Sequence, residues 1–544
     1  MTGRRGVAAI TVAGLFLPAI AIFVSGSARA ASADGPIVIF LVDTLRRDRV
    51  SVYGAPRSTT PAAESLAREG IVFENAYSLS SWTRASVATL FTSRLPAAAG
   101  ALDRKGRLGP SVVTLPQLLR DRGWKTAAFV GNDNVSHSTG FSRGFDVFES
   151  VRSGPSPSLV AHPRAAEVVD RAVRFVSSQA SPRFLLYVHV MEPHLPLDLD
   201  QAHRSLFARE PGGGEGSDLF LDYDRAIRQA DDQFARIAAA LRARGFWDGA
   251  TVVYTADHGE EFHEHGGRGH GDTLYEEQIR IPLVVKPPAS RAAPGRRQDL
   301  VSLADVLPTL AGLYGLPGEA SWIGSGLLAP LPERSLYFTE DLDKNRLYAL
   351  RKGTKKVVVR LYPKLDEEIF DLSSDPGEAH GRPVACGAPV PGDAQPLLAE
   401  LTTLLSLDVS FFPRIEFEKV TSGSLRLILV MALSDIPRPF LTPEARCRYE
   451  TSVRGTAFTL AAEIPAGETF QLSIAADGGE IPPHRLTVFD ARGIVVSGAQ
   501  REKLLRSVRF EYPGTRSSES EDEVRALRNL GYLGGNSGHA GKDR

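Results

Sequence analysis

Three short apolar runs, each ending on a residue of metal-ligand type, constrain this chain more than any other feature. They are Ile37-Val38-Ile39-Phe40-Leu41-Val42 before Asp43, Phe184-Leu185-Leu186-Tyr187-Val188 before His189, and Thr251-Val252-Val253-Tyr254-Thr255-Ala256 before Asp257-His258. Apolar runs of this length, alternating with longer helical patterns, read as strands of a parallel sheet buried on both faces. Ligands of such sheets gather beyond the carboxyl ends of the strands. Two carboxylates and at least two imidazoles therefore converge from distant parts of the chain onto one crevice, as binding a divalent cation requires. The pattern predicts an α/β, metal-dependent enzyme.

A chain of 544 residues is too long for one core, so two or three domains are expected. Lys plus Arg (63) nearly equals Asp plus Glu (64), which leaves no global field to attract nucleic acid or an anionic membrane. Nucleic acid is not an expected partner. At the N-terminus, Arg4 and Arg5 precede an apolar stretch over residues 7–24 and a small-x-small pattern, Ala28-Arg29-Ala30. Residues 1–30 thus read as a signal peptide cleaved near Ala31, placing the mature protein in the periplasm or outside the cell. The alternative is an uncleaved membrane anchor through residues 7–24, near the lower length for a span and containing Gly14 and Pro18, with the catalytic part outside. Arg4-Arg5 lacks the rest of a twin-arginine signal. Cys386 and Cys447 are the only cysteines, and they read equally as a disulfide of an exported protein or as two unrelated buried thiols.

Helices are predicted at residues 61–69, 111–122, 163–178 and 223–244. The last carries Ile227, Phe234, Ile237 and Leu241 close to helical spacing. Residues 210–217, with Pro211-Gly212-Gly213-Gly214, read as an exposed loop, either plain or a lid. Alternation such as Lys356-Val357-Val358-Val359-Arg360-Leu361 predicts a small antiparallel sheet over 335–375. Candidate strands at 425–431, 457–462, 470–476 and 484–489 suggest a small β-sandwich. The expected organisation is a signal or anchor (1–30), a catalytic domain (35–330), its C-terminal antiparallel subdomain (331–415), a β-rich accessory domain (416–510) and a tail with a short helix (511–544).

The segment from Ser80 to Arg94 places hydroxyl residues at a helix N-terminus, where free N–H groups and the helix dipole favour phosphate or sulfate. Taken alone, Thr83 reads as a helix cap and Asp43 as the start of a turn. Glu261-Phe262-His263-Glu264-His265-Gly266 reads as an exposed loop rather than a metal cluster, with Glu260 and Glu261 solvated or supporting the site.

Longer motifs give these residues a context. Asp43 with Asp48 and Tyr53-Gly54, Thr60-Pro61 with the stretch from Leu66 to Ser78, and Leu90-Phe91-Thr92-Ser93-Arg94 come first. His189-Val190-Met191-Glu192-Pro193-His194-Leu195-Pro196, Thr255-Ala256-Asp257-His258-Gly259-Glu260, His270-Gly271, Leu274-Tyr275-Glu276 and Arg280-Ile281-Pro282-Leu283 follow. In order and spacing, from Ile37 to about Asp375, these resemble the sulfatase family of the alkaline phosphatase superfamily. The resemblance implies a mostly parallel sheet flanked by helices, with a small antiparallel subdomain behind it. It implies Asp43, Asp257 and His258 as metal ligands and Thr83 at the nucleophile position beside them. His194 and His270 would hold the substrate's anionic oxygens, and His189 would help there or sit behind the site. One divalent ion is implied, with zinc, manganese, calcium and magnesium all suited to the donor set. Glu192, His194, His265 and His270 are what a second metal would draw on. The implied substrates are small-molecule, lipid or glycan anionic esters.

The chain departs from sulfatases at one point. Their nucleophile is a Cys or Ser matured to formylglycine within Cys/Ser-x-Pro/Ala-x-Arg; here the two positions are Thr83 and Val87. Oxidised threonine is a ketone, not the aldehyde whose hydrate does the chemistry. The segment is more similar to phosphoethanolamine and phosphoglycerol transferases and related phosphodiesterases, in which the metal activates a Thr hydroxyl that attacks phosphorus. Arg84 faces differently from position 87 and is not assigned the missing role. The expected function is an exported, metal-dependent hydrolase or transferase of phosphoesters. A sulfuric ester hydrolase is one alternative, disfavoured because a threonyl sulfate lacks the hemiacetal route for elimination. A non-catalytic, sulfatase-fold binding protein is the other, and the retained Asp43, Asp257 and His258 argue against it.

Overall fold

The computed structural model describes residues 33–152, 162–209, 215–342, 345–362 and 366–383, a short stretch within 394–401, and strand segments between 409 and 490. The signal or anchor, the loop at 210–214, Cys386, Cys447 and the tail lie outside the described residues.

The strands of the catalytic region are β1 (Ile37–Val42), β2 (Ile71–Tyr77), β3 (Lys125–Val130), β4 (Val147–Ser150), β5 (Phe184–Val190), β6 (Thr251–Ala256), β7 (Glu261–Phe262), β8 (Arg268–Gly269), β9 (Leu283–Lys286) and β10 (Gly295–Ser302). Eight of them form one sheet in the order β10-β2-β9-β6-β1-β5-β3-β4, while β7 and β8 make a separate small hairpin. Only β9 runs antiparallel to its neighbours in that sheet. Every residue of β1, β5 and β6 is buried, which is why these strands carry no polar alternation. The chain leaves β1 toward β2 on one side and later builds β5 and β3 on the other, so the crevice above β1 is a topological switch point.

The helices are α1 (Pro61–Glu69), α2 (Thr83–Thr92), α3 (Pro96–Ala99), α4 (Leu115–Arg120), α5 (Ala165–Ser178), α6 (Gln201–Arg204), α7 (Glu215–Ala243), α8 (Glu276–Ile279) and α9 (Val306–Tyr314). Three differ from expectation for local reasons. Thr114 and Gln117 form a capping box, so α4 starts at Leu115 rather than 111. Glu192 accepts from the Ala165 N–H and sets the start of α5. Phe220 and Leu221 carry the apolar stripe of α7 backward, so residues 215–217 of the expected loop are helical. Strand β5 also runs past Val188, leaving His189 inside the sheet rather than beyond it.

Behind this layer, β11 (Ser335–Leu342), β12 (Asn345–Lys352), β13 (Lys355–Tyr362), β14 (Asp366–Asp371) and β15 (Arg382–Pro383) form an antiparallel sheet in sequence order, as the alternation predicts. A buried charge network ties it to the catalytic sheet. Lys356 Nζ lies 2.7 Å from Glu378 and 3.4 Å from Glu276, whose other oxygen accepts from Tyr77 Oη at 2.7 Å. Further on, Val409–Phe417 spans the boundary expected at 415–416. It pairs with Phe458–Ala461, Ile464–Pro465 and His484–Asp490, while Leu425–Met431 pairs with Phe470–Ala476. No helix among the described residues is long and apolar enough to cross a membrane.

Candidate active site

Register builds the site. Val42 is level with Ala256 of β6 and Val190 of β5, so Asp43 and Asp257 emerge side by side at the carboxyl ends of adjacent strands. Their ligand atoms and one nitrogen of His258 lie within 4.8 Å of one another, and all three residues are fully buried. Two carboxylates at that distance repel by ~3 kcal/mol at an effective dielectric of about 20. Burial pushes Asp43 up to about 7, with Glu260 adding to the rise, and burial and Asp43 together raise Asp257. Asp43 Oδ1 and Asp257 Oδ2 are buried with no hydrogen-bond partner. Orphaned oxygens on a repelling pair fit a divalent metal.

His258 completes the set. Its Nδ1–H donates to the Gly259 carbonyl at 2.9 Å, which leaves the Nε2 lone pair facing Thr83 Oγ1 at 3.2 Å. Burial holds the imidazole near 4, hence neutral and able to ligate. A Cβ on Gly259 would stand 2.0 Å from the Glu277 carbonyl oxygen, so only glycine fits after His258.

Thr83 is not a cap. The N-cap of α2 is Trp82, which makes no side-chain cap, and Thr83 is the first helical residue. Its hydroxyl therefore faces the cluster, and the N–H groups of the first turn point the same way. Val87, one turn on, is fully buried in the hydrophobic core, an apolar site that would strand an arginine. Arg84 turns away to donate to the carbonyls of Asp103, Arg104 and Gly106, with its guanidinium 4.9 Å from the Trp82 ring centroid. It anchors a loop.

His189 lies between Tyr187 Oη (3.1 Å) and Asp43 Oδ2 (2.9 Å). That makes it a support for Asp43 rather than a group facing substrate, the second of the two positions expected for it. His270 follows the β7–β8 hairpin, and its Nδ1 is hydrogen-bonded to Glu260 Oε1 at 3.0 Å. Its ring lies 4.3 Å from that of His258 and 5.1 Å from that of His194. Burial lowers His270 to about 3, with Arg104 adding to the shift, and takes His194 well below its ordinary value.

Asn132 is the residue that the sequence reading missed. Its Nδ2 donates to Asp43 Oδ2 at 2.6 Å and lies 3.5 Å from Thr83 Oγ1, bridging ligand and hydroxyl. The rule that found Asp43 applies to it too: Ala127-Ala128-Phe129-Val130 is an apolar strand end, followed by Gly131-Asn132. The run is short and starts at the exposed Lys125, which hid it.

Of the residues on which a second metal would draw, His194 and His270 stand side by side, while Glu192 and His265 are engaged elsewhere. Glu192 is spent on the Ala165 N–H and on Gln229 Nε2, all at 2.9 Å. His265 lies in the turn between β7 and β8, where His263, Glu264 and Gly266 are exposed as expected, but its own side chain is largely covered. It stacks on Tyr275 at 3.7 Å, with Nδ1 at 2.8 Å from Glu277 and Nε2 at 3.2 Å from the Glu378 carbonyl. Glu261, His265 and Glu277 could geometrically hold an ion. Both imidazole nitrogens are already engaged, however, and the imidazolium is itself the cation. Burial alone would lower His265, but the hydrogen bond and charge of Glu277, joined by the Glu378 carbonyl and charge, together outweigh it and bring the group up to about 9 from 6.5. This pair stabilises the fold fully below pH 6.5 and loses that contribution as pH rises through 9. Thermal unfolding from pH 6 to 9.5 is expected to show that decline, reduced in His265→Gln; identical slopes in the two proteins would refute it.

Comparison with known proteins places this fold. The sulfatase family model matches residues 36–316. Human arylsulfatase A is 26% identical over 427 residues, spanning 63% of this chain and 82% of that protein. A solved structure in complex with its substrate D-glucosamine-2-N,6-O-disulfate superposes with a TM-score of 0.58 at 18% identity, covering 68% of this chain and 96% of that one. Phosphonate monoester hydrolase of Agrobacterium radiobacter gives a TM-score of 0.57 at 19% identity, covering 69% and 95%.

Proposed function

The chain belongs to the sulfatase family of ester-cleaving hydrolases, and from that footing we propose that it is an exported enzyme that cleaves or transfers a phosphoester group with Thr83 as nucleophile. The observation that carries this reading is the Thr83 hydroxyl, unspent on capping, 3.2 Å from His258 Nε2 at the mouth of the Asp43–Asp257 pair. Asp43, Asp257, His258 and Thr83 would hold the divalent metal, which when bound lowers the pKa of a hydroxyl and offsets charge on the ester oxygens. Thr83 Oγ, its proton released to solvent, forms a bond to phosphorus as the bond from phosphorus to the leaving oxygen breaks and that oxygen takes up a proton, giving a phospho-threonine that water or an acceptor alcohol releases. An entering anion raises the proton affinity of His194 and His270 by Coulomb attraction, so that they become N–H donors to its oxygens. Asn132 and His189 keep Asp43 Oδ2 occupied, leaving Oδ1 free for the cation.

A sulfuric ester is the second reading, favoured by the arylsulfatase relatives. The test is turnover of p-nitrophenyl phosphate, bis-p-nitrophenyl phosphate and p-nitrophenyl sulfate by the metal-loaded protein, with and without chelator. Phosphoester turnover that chelation abolishes and divalent metal restores is expected. Turnover of the sulfate alone would replace this reading with the second, and no turnover of any ester would favour a binding protein. In the same preparation, an N-terminus near Ala31 is expected for an exported soluble hydrolase. An intact N-terminus in the membrane fraction would favour a lipid-linked transferase.

A further inference from the structure

The antiparallel sheet reaches into the active site through β11. The Thr339 N–H donates to the Leu79 carbonyl at 2.9 Å, joining the strand to the loop that precedes the nucleophile. The next residue, Glu340, is fully buried. Its Oε2 accepts from Ser80 Oγ at 2.8 Å, from the Ser81 N–H at 2.9 Å and from Ser81 Oγ at 2.9 Å. Ser80 Oγ in turn accepts from the Trp82 N–H at 3.2 Å, so a continuous hydrogen-bonded path runs from Glu340 to the residue before Thr83. Two residues along β11, Leu342 packs with Trp82, Ala85 and Met191. It also stands 2.5 Å from where a Cβ on Gly271 would lie, against the loop that presents His270. One strand thus braces both the nucleophile loop and the loop of the anion-holding histidine.

Burying a carboxylate costs desolvation that a purely packing residue avoids. Charge-assisted hydrogen bonds are shorter and stiffer than neutral ones, so the cost secures a rigid loop. Helix α2 has no side-chain cap of its own, and Glu340 instead holds the two residues that precede its N-cap. We propose that Glu340 is a positioning residue that fixes the Ser80-Ser81-Trp82 loop and thereby aims Thr83 Oγ at the ester, making the antiparallel subdomain a working wall of the active site. This rests on the reading of Thr83 as the nucleophile.

The test compares Glu340→Ala, Glu340→Gln, Ser81→Ala and the double variant Ser81→Ala/Glu340→Ala in the full-length, metal-loaded protein. The substrate is whichever aryl ester the unaltered protein turns over fastest. Misplacement of a reacting group by about 1 Å costs on the order of 100-fold. Glu340→Ala is therefore expected to lower kcat by about 10- to 100-fold with KM within about threefold and metal content unchanged. Glu340→Gln keeps the shape and an acceptor oxygen, and should recover most of that loss. Ser81→Ala should lower kcat alone but add almost nothing to Glu340→Ala, because both cut the same link. Unchanged kcat in Glu340→Ala, additive losses in the double variant, or a fall in kcat that follows loss of metal would each overturn the proposal. Should Glu340→Ala not fold, an unchanged kcat in Ser81→Ala overturns it equally. Full turnover by Thr83→Ala would instead remove the nucleophile reading and leave the Glu340 measurements distinguishable from it.

Discussion

Thr83→Ala is expected to lower kcat/KM by about 10⁴-fold or more, some 5.5 kcal/mol of transition-state stabilisation, while the protein stays folded and retains most of its metal. Alanine is a good residue for the first turn of α2, and Thr83 provides no cap whose loss would unravel that helix. Asp43, Asp257 and His258 remain to hold the cation, so the missing oxygen is felt in the chemistry first. Thr83→Ser separates the hydroxyl from the rest of the side chain. It keeps Oγ and loses one buried methyl, and is expected to stay within about tenfold of the unaltered enzyme, because the attacking atom and its helix are the same. The measurement is kcat and KM for both variants, with metal content by elemental analysis. Substantial turnover by Thr83→Ala with bound metal would mean that a water, not the threonine, attacks. The covalent phospho-threonine would then be lost from the mechanism.

How much of this was readable beforehand depended on what each residue leans on. Strands β1 and β6 were legible to the residue because burial on both faces leaves an unbroken apolar run. Asp43 and Asp257 were legible because such runs end on them. Helix α1 was likewise legible, since Pro61 starts it and Gly70 ends it. At His189, His265 and Glu340 a deciding partner is distant in sequence. His189 looked like a strand-end ligand, but β5 continues and Asp43, 146 positions away, takes its Nε2. His265 looked like part of a solvated His/Glu loop until Glu277 and the Glu378 carbonyl enclosed it. Glu340 sits in an ordinary alternating strand, and only the meeting of β11 with Ser80 and Ser81, some 260 residues earlier, gives it a role. Local periodicity reports burial, whereas the partner of a polar group is fixed by topology.

Replacing Asp257 by asparagine is expected to invert the order of stability between metal-free and metal-loaded protein. Asp257 Oδ1 accepts from the Thr44 N–H at 3.2 Å and the His258 N–H at 2.9 Å, and the asparagine carbonyl can keep both bonds. Oδ2, the orphaned oxygen toward the cluster, becomes an NH₂ group that turns donor hydrogens toward a cation. Metal affinity should fall by about 10²-fold or more, and activity with it, because one of two anionic ligands is gone. In chelator near pH 8 the unaltered protein holds two buried carboxylates within 4.8 Å, whose repulsion of ~3 kcal/mol the amide relieves. Asp257→Asn should then melt several degrees above the unaltered protein. With divalent metal at about a hundred times Kd, binding adds ~2.7 kcal/mol to the unaltered protein and far less to the variant, so the ranking reverses. Calorimetric melts of both proteins, with chelator and with metal, read out all four states. A variant less stable under both conditions would mean that the two carboxylates are held by protons or by fixed hydrogen bonds rather than by a cation. The cluster would then be a structural feature of the carboxyl ends of the central strands, and catalysis by Thr83 would have to be sought without it.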